Sequence, residues 1–149
     1  MHIVLYKTDI PQNTAAIIRL GACLSLNIHL IEPCGFNLND SRFKRVVMDY
    51  MNLCKVVRHE DFKSFVKKNK KSRIVLMTTK AKKNYNKFKF KKDDIMLFGR
   101  ESAGVPENLH KTIKNKIKIP INKKTRSLNV AMSVAIISAE ALRQNNLLK

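Results

Sequence analysis

Three short clusters of polar residues are the part of this sequence best suited to binding and reacting with a ligand. They occupy 13–19, 99–104 and 125–129, each at the end of a predicted strand. Open parallel sheets bind ligands outside the carboxyl ends of their strands. The middle cluster, within FGRESAGVPENL, places an acid, Glu101, in the most turn-prone stretch of a lysine-rich chain. Glu101 is either a turn carboxylate facing water or a residue that serves a site.

Common catalytic signatures are absent from the sequence. It has neither GxGxxG after the first predicted strand nor GxxxxGK followed by Ser or Thr, so no dinucleotide fingerprint or P-loop is predicted. It has no GxSxG elbow, which argues against acyl transfer. Its histidines and cysteines lack HExxH, HxH and CxxC spacing, so we predict no metal and no disulfide. We expect surface or strand-edge histidines and small buried cysteines at the following positions: His2, His29, His59, His110, Cys23, Cys34 and Cys54.

Strands and helices alternate along the chain and must position the three clusters. Apolar runs predict the strands, and apolar residues at helical spacing predict the helices between them. Helices of about ten residues between strands imply βα units, which form a mostly parallel sheet with helices on both faces. We therefore predict an α/β fold and a single domain over 1–149. The predicted strands cover 3–6, 28–33, 54–59, 73–79, 94–99 and 116–120.

Capping residues indicate where the helices begin. Asn13 or Thr14 is expected to cap the first helix and Ser127 the last, with another helix predicted over 41–51. The last helix is apolar almost all the way round from Leu128 to Ala139, as in helices that are enclosed on every side. In so small a domain, a second subunit is expected to cover one side of this helix.

The net charge of +19 is the strongest compositional signal, because such a field attracts polyanions. From Lys63 to Lys92 there are thirteen Lys or Arg residues and no Asp or Glu, and a second acid-free basic stretch runs from Lys111 to Arg126. We predict contact with nucleic acid, with a solvated basic face as the alternative. The aromatic residues of the basic loop at 80–92 either stack on bases or pack on the core, and both interpretations stay open.

Nothing in the sequence predicts a membrane segment or export. No run approaches the roughly 20 apolar residues that a membrane span requires. The first residues, MHIVLY, lack the basic start and longer apolar stretch of a secretory signal. We therefore expect a cytoplasmic protein.

The order of the three clusters resembles the three motifs of the SPOUT superfamily of RNA methyltransferases. Asn13-Thr14 with Arg19 resembles the first motif, FGRESAGVP the second and IPINKKTRSLN the third. Length and strand order are most similar to the small single-domain tRNA (cytidine/uridine-34-2'-O)-methyltransferases, in which IVLY, IEP and RVVMDY also have counterparts. The first motif commonly has Gly and Asn where this chain has Ala15 and Ala16.

The resemblance implies a fold detail, a reaction and a cofactor site. The fold would carry a C-terminal deep trefoil knot, and the chain would act as a homodimer that 2'-O-methylates the wobble nucleotide of tRNA. S-adenosylmethionine would be the methyl donor. Its expected contacts are Met77, Gly99, Gly104, Ile119, Ile121, Ser127 and Leu128.

The resemblance also implies catalytic roles. Arg19 would activate the ribose hydroxyl, and four polar residues would arrange it: Asn13, Glu101, Ser127 and Asn129. Because a guanidinium stays protonated, we expect Arg19 to bind the adjacent phosphate and to stabilise the developing alkoxide. Glu101 would orient Arg19 or an amide. Two other functions stay open, namely methylation of ribosomal RNA and non-catalytic RNA binding by a basic module.

Overall fold

The strands form one parallel sheet in a computed structural model that describes residues 1–47 and 50–148. The strands are β1 (His2–Tyr6), β2 (Asn27–Ile31), β3 (Val56–His59), β4 (Ile74–Met77), β5 (Lys83–Asn84), β6 (Ile95–Phe98) and β7 (Asn115–Lys118). Their order across the sheet is β3-β2-β1-β6-β4-β7-β5. Each pairing between the described strands is parallel, which confirms the predicted α/β class.

Helices follow most of the strands, as the βα pattern predicts. They are α1 (Pro11–Cys23), α2 (Ser41–Val47), α3 (Tyr50–Leu53), α4 (Phe62–Lys68), α5 (Glu107–Thr112) and α6 (Val130–Gln144). The predicted helix over 41–51 corresponds to α2 and α3, and Met48 and Asp49 of RVVMDY lie outside the described residues. Within the described part of the chain, no helix is both long and apolar enough to cross a membrane.

The sheet has an apolar core on each of its two faces. Along β1, Ile3 and Leu5 belong to one core, whereas Val4 and Tyr6 belong to the other, because successive side chains of a strand point to opposite faces. The first core contains apolar residues of α1 and α6, and the second contains Phe65 of α4. The prediction of helices on both faces is therefore confirmed.

The strand order brings the loops after four strands to the same end of the sheet. β6 lies between β1 and β4, and β7 pairs with β4 on its other side. Because all four strands are parallel, their carboxyl ends point the same way. The residues that follow them, which include most of the polar clusters, therefore lie close together.

Three histidines form a hydrogen-bonded row across β1, β2 and β3. His2 Nδ1 lies 3.1 Å from His29 Nε2, and His29 Nδ1 lies 2.9 Å from His59 Nε2. The expectation of surface or strand-edge positions is wrong for His29, which is buried on the interior strand β2, whereas His59 ends the edge strand β3 and is buried beside Phe65. Burial, with smaller contributions from the neighbouring histidines, lowers the pKa of His29 to about 4. The row therefore stays neutral in the folded protein at neutral pH.

The expectation of small buried cysteines holds for one of the three. Cys54 is buried, and its thiol donates to the carbonyl of Leu26. Cys34 is half-buried, and burial raises the pKa of its thiol to about 11. Cys23 is exposed at the end of α1, so the expectation is wrong there.

The free energy of unfolding is expected to fall as the pH drops from about 6.5 to about 4. Between these values the unfolded chain binds a proton at position 29 that the folded protein excludes, because the folded pKa is about 4. The loss from this one group is on the order of 3 kcal/mol. Urea unfolding near neutral pH and at about pH 4.5 measures it. His29→Leu should lose less stability over this pH interval than the unchanged protein. An equal loss in both proteins would show that protonation of His29 is not the cause.

Candidate active site

A cavity of about 490 Å³ lies at the carboxyl ends of β4, β6 and β7, beside the start of α1. This volume is in the range of ligand pockets, about 300–1,000 Å³. Its walls combine apolar side chains with a few polar groups that converge from separate loops. The predicted site residues that line it are Asn13, Met77, Gly99, Glu101, Gly104, Ile119, Ile121, Ser127, Leu128 and Asn129.

A row of hydrogen bonds connects the three polar clusters, and each side chain in it donates to the next. Asn129 Nδ2 donates to Asn13 Oδ1 over 2.9 Å, and Asn13 Nδ2 donates to Glu101 Oε1 over 3.0 Å. Asn129 Oδ1 in turn accepts from the backbone N–H groups of Ala131 and Met132 at the start of α6. Each amide is therefore held in a single orientation, and each retains a second N–H on Nδ2 that can reach a ligand.

Glu101 accepts hydrogen bonds from several donors at once. Besides Asn13 Nδ2, the backbone N–H of Asp9 donates to Oε2 over 2.8 Å, and Thr8 Oγ1 donates to Oε1 over 3.1 Å. Thr8 is almost fully buried and also hydrogen-bonds Thr14. An ionised carboxylate is the group that can accept from all these donors. Of the two predicted tasks for Glu101, the contact with the Asn13 side chain fits the orientation of an amide.

Sequence analysis missed the contribution of Thr8 and Asp9, which follow β1. The Asp9 carboxylate accepts from the guanidinium of Arg100 and from Ser102, and these bonds lower its pKa to about 2. This ion pair ties the loop after β1 to the loop after β6, next to Glu101. In the sequence these residues belong to KTDIPQN, where turn propensity is the only visible signal.

The helices next to the cavity begin at other residues than predicted. α1 starts at Pro11 with Ile10 as the capping residue, so Asn13 lies inside its first turn and its side chain is free to reach Glu101. α6 starts at Val130 with Asn129 as its cap, so the predicted cap at Ser127 is wrong. Ser127 remains in the extended segment that lines the cavity.

The second cluster requires glycine at positions 99 and 104 for different structural reasons. A Cβ at Gly99 would lie 2.4 Å from the carbonyl carbon of Gly104, so only glycine fits there. Gly104 has a φ of 68°, which favours glycine, and a Cβ there would meet nothing within 4 Å. The backbones of Arg100 and Gly104 exchange hydrogen bonds of 3.1 and 2.8 Å between these positions. The turn thus holds Glu101 at the cavity and leaves open space at Gly104.

Arg19 does not reach the other predicted catalytic residues in its own chain. It is exposed on α1, and its guanidinium carbon lies 4.9 Å from the centre of the Tyr50 ring. It is not among the described residues that line the cavity. The alternative in which Glu101 orients Arg19 of the same chain is therefore wrong.

One histidine contributes to the wall of the cavity. His110 lines the cavity, and its Nε2 is buried without a hydrogen-bond partner among residues 1–47 and 50–148. Over the same residues there is no group of three or more His, Cys, Asp or Glu side chains that could hold a metal ion.

Fold, cavity and motif order together define a class of RNA-modifying enzyme. The SpoU rRNA Methylase family model matches residues 1–139, and the chain belongs to this family. The predicted resemblance to RNA methyltransferases of this kind is confirmed.

Relatives within the family are more specific. The chain is 44% identical over 144 residues to the tRNA (cytidine(34)-2'-O)-methyltransferase of Beijerinckia indica, covering 95% of this chain and 90% of that protein. It is 35% identical to the enzyme of the same name from Escherichia coli strain K12, covering 97% and 93% of the two chains. A solved structure described as giving insights into the 2-OH methylation of C/U34 on tRNA superposes with a TM-score of 0.92 at 34% identity, over 97% of this chain and 95% of that one.

Proposed function

We propose that this protein is a tRNA (cytidine/uridine-34-2'-O)-methyltransferase, which transfers a methyl group from S-adenosylmethionine to the ribose 2'-hydroxyl of the wobble nucleotide. The observation that carries the proposal is the 44% identity to a tRNA (cytidine(34)-2'-O)-methyltransferase over nearly the whole of both chains. The hydrogen-bonded row of Asn129, Asn13 and Glu101 at the cavity supports a catalytic protein over a passive RNA-binding module.

The cavity residues fit S-adenosylmethionine. Apolar walls suit the adenine ring, and the open space at Gly104 allows close approach of a ligand to the backbone. When bound, this cofactor supplies an electrophilic methyl group. The residues that would hold it are Met77, Gly99, Gly104, Ile119, Ile121, Ser127 and Leu128.

The polar row would position the ribose. The free N–H groups of Asn13 and Asn129 would hold oxygen atoms of the nucleotide, with Ser127 beside them, and Glu101 would keep the Asn13 amide in place. Fixing the hydroxyl near the methyl carbon supplies catalysis of several kcal/mol through orientation alone. Arg19 would bind the neighbouring phosphate and stabilise the developing alkoxide charge.

A homodimer would supply Arg19 to the cavity of the partner chain. Arg19 is exposed on α1, away from its own cavity. α1 packs beside α6, on which Met132 is 63% exposed, and Leu128, just before α6, is 40% exposed, so an apolar surface adjoins the cavity. Burial of such a surface against a second copy is the ordinary way to cover it.

The proposed enzyme is a knotted, single-domain protein of the cytoplasm. We infer a single domain over 1–149 with the C-terminal segment tied in a deep trefoil knot. The support for the knot is the resemblance to the SPOUT superfamily, and the strand order places β6 between β1 and β4 and β7 between β4 and β5. A cytoplasmic location follows from the proposed substrate, because tRNA is modified there.

Nucleoside analysis tests the reaction. Digested tRNA from a strain lacking this protein should lose a 2'-O-methylated nucleotide at position 34, and purified protein with S-adenosylmethionine should restore it. Ribosomal RNA is the second candidate substrate, because the matching family is described as an rRNA methylase family. Loss of a ribosomal methyl group with unchanged tRNA would favour it.

Calorimetric titration separates an enzyme from a non-catalytic RNA-binding module. S-adenosylmethionine is expected to bind with one site per chain and a dissociation constant of about 1 μM to 1 mM, the range that enzyme Michaelis constants usually span. Binding of tRNA without any binding of S-adenosylmethionine would favour the module.

A further inference from the structure

A band of positive charge lies along one edge of the sheet. β5 is the edge strand and pairs with β7, with Lys83 opposite Ile117 and Asn84 opposite Lys118. This pairing brings the two acid-free stretches of the sequence together. We call the exposed cations of this region the basic edge, which comprises Lys80, Lys82, Lys83, Lys87, Lys89, Lys91, Lys92, Lys123, Lys124 and Arg126.

The basic edge has few acidic neighbours. Lys80 lies 3.7 Å from Glu107, and both side chains are mostly exposed. In the part of the chain that the structure describes, no other cation of the basic edge has a carboxylate within 4 Å. The charge is therefore available to an external polyanion.

The loop that carries these lysines is anchored to the core by two aromatic side chains. Phe88 and Phe90 are only 6% and 7% exposed, and their rings contact edge to face. Gln144 at the end of α6 accepts from the backbone N–H of Phe90 and donates to the carbonyl of Phe88, both over 2.9 Å. The backbone between the lysines is thus fixed before any partner binds.

A buried ion pair holds the far end of the same loop. Asp94 is fully buried, and Arg73 Nη2 lies 2.6 Å from its Oδ2. The same carboxylate accepts from the backbone N–H of Lys91, and Arg73 donates to the carbonyl of Lys89. These contacts fix the backbone of Lys89 and Lys91, whose side chains are exposed.

The burial of the aromatic residues decides between the two interpretations of this loop. Phe88 and Phe90 pack on the core, so their rings are not available to stack on bases, whereas Tyr85 is only half-buried against the core. Lysine ammonium groups are point charges that bind phosphates, and contacts to phosphates carry no sequence information. The basic edge, which consists of lysines and one arginine, is therefore suited to recognising the backbone of a nucleic acid.

The basic edge leads directly to the cavity. Lys80, which begins the basic loop, lines the cavity wall together with Thr78 and Thr79 just before it and Lys118 of β7. A strand whose phosphates lie along the basic edge would therefore arrive at the place where the ribose must react. This continuity favours RNA over an anionic membrane as the partner.

We propose that the basic edge binds the phosphate backbone of the substrate RNA, irrespective of sequence, and leads it into the cavity. The proposal rests on the proposed function and adds the surface and the mode of recognition. Selection of the nucleotide then depends on residues inside the cavity.

A variant with Lys82, Lys83, Lys87 and Lys89 all changed to Gln tests the proposal. The matched control changes four other exposed lysines to Gln, Lys63, Lys67, Lys70 and Lys71, on α4 and the turn after it. Affinity for substrate tRNA at about 0.1 M salt should fall about ten- to hundredfold in the first variant, and the slope of log affinity against log salt should become shallower by about 2–3. The control should change by less than about threefold.

Further binding measurements on the same variants distinguish failure of this proposal from failure of the proposed function. A tRNA that is not a substrate should lose affinity by the same factor, and S-adenosylmethionine affinity should be unchanged. Equal losses in both lysine variants, or unchanged tRNA affinity, would overturn the proposal even if the protein methylates tRNA. Retained tRNA affinity with loss of binding to phosphatidylserine vesicles would assign the edge to a membrane instead. If the protein methylates no tRNA, the binding arms still decide the role of the edge.

Gln144→Ala tests whether the shape of the loop matters as well as its charge. This change removes both backbone clamps and alters no charge. We expect tRNA affinity to fall about three- to tenfold, because the loop must then be ordered on binding. Unchanged affinity would show that the two Gln144 hydrogen bonds are not part of the recognition.

Discussion

Glutamine in place of Glu101 is expected to lower the rate of methyl transfer about 100- to 1,000-fold at saturating substrate, with a much smaller change in S-adenosylmethionine affinity. The carboxylate accepts from the Asp9 backbone and from the Thr8 and Asn13 side chains. A glutamine amide turns one of these oxygens into a donor, so it must face at least one of the three donors unfavourably. The Asn13 amide would then lose its fixed orientation, and positioned donors of this kind contribute about this much to rates.

Single-turnover kinetics and calorimetric titration measure the two quantities separately. Glu107→Gln is the matched control, because Glu107 is exposed on α5 and its one ion pair among residues 1–47 and 50–148 is with the exposed Lys80. This control should methylate at nearly the unchanged rate. If Glu101→Gln lost cofactor affinity and rate by the same factor, the carboxylate would be holding the cofactor pocket and not the ribose.

The predictable part of the fold follows from patterns that are local in the sequence. Apolar runs such as IVLY and IMLF become β1 and β6 because strands buried on both faces need continuous apolar side chains. The three polar clusters gather at one end of the sheet because their strands are parallel. β5, with only two residues inside a lysine-rich loop, has no such pattern and depends on its pairing with β7.

The parts that could not be predicted depend on contacts between distant residues. Asn13 and Ser127 are favourable capping residues, but the caps are Ile10 and Asn129, and the Asn13 side chain instead donates to Glu101, 88 positions away. His29 and His59 are buried side by side on adjacent strands, where His29 Nδ1 lies 2.9 Å from His59 Nε2. No local spacing records such pairs, and none reveals that Arg19 lies outside the cavity.

Alanine in place of Arg19 is expected to abolish methylation while S-adenosylmethionine affinity stays nearly unchanged. The guanidinium is exposed on α1 and does not line the cavity of its own chain, so its removal should leave the cofactor contacts intact. A loss of phosphate binding and charge stabilisation at the reacting oxygen corresponds to about a 1,000-fold lower rate or more. Loss of cofactor binding instead would contradict this role.

Mixing two inactive variants decides which cavity Arg19 serves. In a dimer of one Arg19→Ala chain and one Glu101→Gln chain, the first chain has an intact cavity and the second has an intact Arg19. If Arg19 acts in the partner's cavity, each such dimer has one complete site, and random exchange restores about a quarter of the full activity. If Arg19 acts in its own chain, both sites are incomplete and nothing is restored. As a control, Arg19→Ala is mixed with a chain that carries both Arg19→Ala and Glu101→Gln. This mixture should restore nothing in either case, because no dimer then contains an intact Arg19.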